Sequence, residues 1–191
     1  RDALPKGEFG MAFETGAYLN YAIRIAFERG FGYGEAMGRL CCDAAFRKAV
    51  IDRTFEHHPD TGDYFKPYDG FAYESSSVFA VGWKKGIPLC VHASLGTDII
   101  DQHASYDPIA KGATSGMDFL VFAEHMGRFT EGGVILNIGT AIMGPEVVLK
   151  AVSMAANVSK TPSGLWTGVF DIRPFTFDDD VRDESKAYYY L

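Results

Sequence analysis

Two blocks decide the fold, IPLCVHASLGTD (87–98) and GGVILNIGTA (132–141). Each begins with a short apolar run, Ile87 to Val91 and Val134 to Ile138, bounded by glycine or proline. Such runs read as buried strands rather than helices. Each empties into a small-residue turn, Ser94-Leu95-Gly96-Thr97-Asp98 and Asn137-Ile138-Gly139-Thr140-Ala141, and helix-forming sequence follows both. Strand, glycine turn and helix, twice over, predict an α/β chain: an open, mostly parallel, Rossmann-like sheet flanked by helices in three layers. Its ligand would lie at the carboxyl ends of the strands.

The chain has 191 residues and 47% apolar content, one domain's worth with enough to bury a core. A net charge of −7 without a clustered basic face argues against nucleic acid. No run of about 18 apolar residues offers a membrane span. Cys41, Cys42 and Cys90 lack CxxC spacing and read as reduced, packing thiols of a cytoplasmic protein. The absent initiator methionine and the closing Tyr188-Tyr189-Tyr190-Leu191, which reads as a strand beginning, suggest part of a longer protein.

Before the first block, a helix opens at Gly7-Glu8-Phe9-Gly10, carries Met11, Leu19, Ile23 and Phe27 and stops at Gly30. A second is expected from Tyr33 to Val50, with Glu35 and Arg39 paired on its surface. From Asp52 to Tyr73 the periodicity dissolves into a long loop containing His57 and His58. A serine-capped short helix, with Ser75 or Ser76 as the cap, precedes Gly86. Later come a helix from Ser115 to Arg128, another from Pro145 to about Ala156, a third strand from Val169 to Ile172 and a solvated acidic run, Asp178 to Glu184.

The chemistry concentrates at the two turns. Backbone N–H groups around Gly96-Thr97 and Gly139-Thr140, at helix starts, suit phosphate or carboxylate. Glycine after a strand is also a purely structural feature, and no GxGxxG fingerprint is present. His103, seven residues past Gly96, is placed to exchange protons near neutral pH, with Asp98 or Asp101 to orient it or bind a cation. Its structural alternative is a satisfied, hydrogen-bonded imidazole. His57, His58, His92 and His103 fit no metal-ligand spacing.

From Tyr73 to Asn157 the chain resembles the deoxyhypusine synthase family. The resemblance rests on Glu74 to Pro88, Ser94-Leu95-Gly96-Thr97-Asp98-Ile99 with His103, and Gly132 to Asn157 with Asn137-Ile138-Gly139-Thr140 and Pro145-Glu146-Val147. It implies a Rossmann-like homotetramer that binds NAD, oxidises a polyamine to an imine and transfers its aminoalkyl group. His103 and Asp98 would be the catalytic residues. Ser94, Gly96, Thr97, Asn137, Gly139 and Thr140 would hold the cofactor, and carboxylates would attract the cationic amine. The family's imine-forming lysine falls on Gly144 and its following histidine on Pro145, and glycine forms no imine. The competing reading is therefore a non-catalytic NAD-binding or assembly homologue.

Overall fold

A computed structural model describes residues 12–61, 64–172, 183 and 185. The chain runs α1 (Phe13–Arg29), α2 (Tyr33–Cys42), α3 (Ala44–His57), α4 (Val78–Lys85), α5 (Pro108–Met126), β1 (Gly133–Ile138), α6 (Met143–Asn157) and β2 (Leu165–Phe170). It divides into two compact units that part inside α5, between Asp118 and Phe119. The opening at Gly7 to Met11, Gly62 and Asp63, the acidic run from Asp178 to Glu184 apart from Asp183, and the closing tyrosines lie outside the described residues.

The expected three-layer, Rossmann-like sheet is overturned. The described residues are mostly helical, and their one sheet has two strands, β1 and β2, paired in parallel from Gly133 opposite Leu165 to Ile138 opposite Phe170. The apolar run Val134 to Ile138 is a strand, as its β-branched content predicts. The run Ile87 to Val91 is not, although it carries the same signature.

The reason lies in where its backbone hydrogen bonds go. The Val91 N–H donates to Asp118 Oδ2 at 2.8 Å, Ser115 Oγ donates to the Val91 carbonyl at 2.7 Å, and the Ala93 N–H donates to Ser115 Oγ at 2.8 Å. Side chains of α5 supply what a neighbouring strand would have supplied. Asp118 Oδ2 also accepts from the Gly34 N–H at 2.8 Å, tying the start of α2 to the same segment. Glycine is required there, because a Cβ at Gly34 would stand 1.6 Å from the Leu89 carbonyl oxygen and one at Gly32 would stand 1.8 Å from Asp118 Oδ1.

In the first unit the core is helical. Tyr18, Tyr21, Ile23 and Ile25 of α1 pack with Met37 and Leu40 of α2 and with Phe46, Val50 and Ile51 of α3. The helix expected over Tyr33 to Val50 is broken at Asp43, whose side chain caps α3 by accepting from the Ala45 and Phe46 N–H groups. Helix α3 then runs to His57, into the region expected to be loop. Helix α1 ends as expected at Gly30, whose φ of 77° lies in the left-handed region. The cap of α4 is Ser77, one residue beyond the two serines expected to supply it.

In the second unit one face of the β1–β2 pair meets the helices: Ile135 and Leu165 pack with Phe119, Phe122, Ala123 and Met126 of α5 and with Val148, Ala151 and Val152 of α6. No helix among the described residues is long and apolar enough to cross a membrane. The three cysteines are free.

Candidate functional site

The segment 94–105 holds every site residue expected in the first unit. Ser94 to Asp98 form the turn, with Gly96 at a φ of 84°. Asp98 caps a single turn of 3-10 helix, Ile99–Gln102, and His103 closes it. Asp101 is the fastener. Its Oδ2 accepts from the Gly96 N–H at 2.7 Å and from the Asp98 N–H at 3.4 Å, while its Oδ1 receives Lys111 Nζ at 2.5 Å.

Lys111 sits in the first turn of α5 and is 1% exposed. Its ammonium also lies 3.6 Å from Asp98 Oδ2. A buried cation of this kind is tolerated because two carboxylates face it. Tyr33, packed nearby, has its phenol pushed up to about 12 by burial, with the charges of Asp98 and Asp101 adding to the effect. Asp98 itself keeps 43% of its side chain open to solvent and is the accessible anion of the group.

His103 is half-buried. Its Nδ1 lies 2.7 Å from Ser105 Oγ and accepts the Ser105 N–H at 3.1 Å. An Nδ1 that accepts a backbone N–H carries no proton, so in the neutral ring the proton is on Nε2. Burial, and then the neighbouring His58, hold the His103 pKa below its ordinary value. The ring packs 5.0 Å from Phe13 and 6.2 Å from His58, and Phe13 stacks on Tyr64 at 5.1 Å. His58 in turn lies 3.1 Å from the Tyr21 hydroxyl.

Asn137, Gly139 and Thr140 belong to the second unit, at the end of β1 and before α6. Asn137 Nδ2 donates to the Thr140 carbonyl at 3.0 Å and the Gly144 N–H donates to Thr140 Oγ1 at 2.9 Å. The Gly139 N–H continues the strand pairing, donating to the Phe170 carbonyl at 2.9 Å. A Cβ at Gly144, where the family's lysine aligns, would meet Thr140 Cγ2 at 2.4 Å. This position is built for glycine. Lys150, further along α6, is 62% exposed and pairs with Glu146 on the helix surface.

These contacts test whether NAD fits the residues expected to hold it. The anion-binding capacity of such turns comes from unpaired N–H groups. Here the Gly96 and Asp98 N–H groups already face the Asp101 carboxylate, and those of Gly139 and Gly144 are taken by Phe170 and Thr140. A pyrophosphate at the first turn would also approach Asp101 and Asp98, charges of its own sign. These four N–H groups are therefore not open to a phosphate.

Three groups carry more of the site than their sequence positions suggest: Lys111, Asp118 and His58. Two of them leave a signal in the sequence. Lys111, Thr114, Ser115 and Asp118 recur at helical spacing on one face of α5, beside apolar Ala110, and a polar stripe turned inward must serve backbone groups elsewhere in the chain. His58 has no such signal, because α3 outlasts its apolar periodicity. Among the described residues no group of three His, Cys, Asp or Glu converges as a metal site. Set against family models, curated proteins and solved structures, the chain matches none of them.

Proposed function

We propose that the chain binds a small cationic amine at the 3-10 turn capped by Asp98 and closed by His103. One observation carries the reading. The turn displays at one end a carboxylate with 43% of its side chain open to solvent, and at the other an imidazole whose Nδ1 is already engaged. Asp98 is the anionic anchor for an ammonium group, and the His103 ring marks the other end of the turn. The resemblance of residues 74–103 to an amine-acting family supports the same ligand class.

A neutral His103 with Nδ1 engaged and its proton on Nε2 has no free lone pair to take a proton from the ligand, and the steric fit of Gly144 against Thr140 favours a role without an imine on that position. NAD-dependent aminoalkyl transfer is the competing reading, and one titration separates the two. Calorimetry with spermidine and with agmatine should show binding that Asp98→Asn weakens by about tenfold or more, the loss of one charge-assisted contact. Adding NAD to the spermidine complex should leave NADH fluorescence at baseline. A rise in that signal supports transfer instead, and the absence of heat from either amine at millimolar concentration overturns the proposal.

A further inference from the structure

The second unit exposes a sheet face that a parallel pair does not ordinarily show to water. Parallel sheets are covered on both sides, and two strands alone are marginal. Among the described residues, the helices cover the side of the β1–β2 pair that carries Ile135 and Leu165. On the other side stand Val134, Leu136 and Ile138 of β1 and Trp166 and Phe170 of β2, between 55% and 77% exposed. The register sets them opposite one another, Val134 with Trp166 and Ile138 with Phe170. In the centre Leu136 faces Gly168, and a Cβ there would stand 3.1 Å from Leu136 Cδ2. None of the strand residues on this face is charged.

We propose that this face is the contact between two copies of the chain, sheet on sheet about a two-fold axis. Two features select a second copy as the occupant. The five exposed side chains offer roughly 700 Å² per copy, close to the approximately 800 Å² per partner of a stable interface. A patch without charge is also self-complementary, since bringing it against its own image sets no like charges together. Leu136, at the middle of the face, lies nearest the axis. The dimer contact shares no residue with the amine site.

Sedimentation velocity of the full chain over 1 to 100 µM tests it. The expected result is a dimer that Leu136→Lys converts to monomer, with circular dichroism unchanged because the substituted side chain is already exposed. Ile138→Thr, which keeps a β-branched residue in the strand, guards against misfolding and should weaken dimerisation at least tenfold. Leu136→Cys under oxidation should give a covalent dimer through position 136. A monomer at 100 µM overturns the proposal, and so does a dimer indifferent to both Leu136→Lys and Ile138→Thr. Trp166 quenched by acrylamide as readily at 100 µM as at 1 µM would show the face open to another occupant and would overturn it as well.

Discussion

The runs Ile87 to Val91 and Val134 to Ile138 are both short and apolar, and they differ in structure. In the second unit the run finds a strand, β2, and becomes a strand. In the first it finds the inward polar stripe of α5, where Asp118 and Ser115 take the N–H and carbonyl of Val91 and Ser115 takes the N–H of Ala93. A strand signature records that a segment is extended, apolar and buried. It does not record who accepts its N–H groups, and that partner decides whether a sheet exists. The consequence for function is direct: a sheet edge would have offered free turns to a ligand, whereas the segment actually formed leads into a turn whose Gly96 and Asp98 N–H groups are held by the Asp101 carboxylate.

The largest effects should come from breaking the side-chain scaffold of the first unit. Asp118 is 3% exposed and serves two backbone donors, so Asp118→Leu leaves both buried and unpaired and should cost about 3 kcal/mol or more. Asp118→Asn keeps an acceptor oxygen and should cost less than half of that. Gly34→Ala should match the larger loss, since the new methyl would displace the Leu89 carbonyl. The chain's two tryptophans, Trp83 and Trp166, fall one in each unit. Urea unfolding of a Trp166→Phe background, read at Trp83, isolates the first unit. Equal losses for Asn and Leu at position 118 would mean that the acceptor is not what matters.

Next in size is the charge inside that scaffold. Lys111→Met leaves the Asp101 carboxylate, 6% exposed, without its cation and should cost about 3 kcal/mol. Pairing it with Asp101→Asn removes the stranded charge while leaving an oxygen for the Gly96 N–H, so the double variant should be the more stable of the two. The same urea curves decide it, and a double variant that is less stable than Lys111→Met would show that Asp101 is held by its backbone donors alone.

In the second unit the corresponding junction is smaller and steric. Gly144→Lys drives a Cβ against Thr140 Cγ2 and should cost about 2 kcal/mol. Thr140→Ser deletes that methyl and keeps the hydroxyl that receives the Gly144 N–H, so it should recover most of the loss. Unfolding read at Trp166 in a Trp83→Phe background follows both. Should Gly144→Lys be neutral by itself, the glycine is not a packing requirement and the lysine of the resembling family becomes structurally admissible.

What is legible in the sequence follows from how local each signal is. Helix α1 and its glycine stop, the glycine end of α4, strand β1 and helix α6 are written in periodicities and end residues that act within a few positions. The Glu35–Arg39 pair, 2.7 Å in the structure, is of the same kind. The break between α2 and α3 is locally coded too, by Asp43, but continuous periodicity across it conceals the cap. The candidate site is legible in its turn and in Asp98, Asp101 and His103. Its support comes from far along the chain: Lys111 reaching back to Asp101, Asp118 to Gly34, and His58 to Tyr21 and His103. Those contacts depend on helices meeting, which no window of neighbouring residues contains.

The smallest effect is in the response to pH, and it should belong to the first unit. Burial holds the pKa values of His92 and His103 below the unfolded value of 6.5. Each therefore contributes stability that is complete above that value and is lost as pH falls through the depressed folded value, where the ring must take up a proton it resists. Asp118 has the opposite sign. Burial raises its carboxyl above the unfolded value of 3.8, so its contribution is present in acid and disappears as pH rises through the folded value. Partial exposure of His103 screens its share. Unfolding midpoints read at Trp83 should fall modestly between pH 7.5 and pH 5.5, and His103→Gln should flatten part of that fall. Asp118→Asn should steepen the decline on further acidification, because it removes a group that gains from a proton. Midpoints read at Trp166 should move less over the same range, since the displaced carboxyl of the second unit, Glu124, is lowered by a surface bond to Arg128 that water screens. Equal slopes at the two tryptophans would break the comparison between the units. A slope confined to Trp83 but unchanged by His103→Gln would move the titration to His92 and leave the turn at His103 without its link to pH.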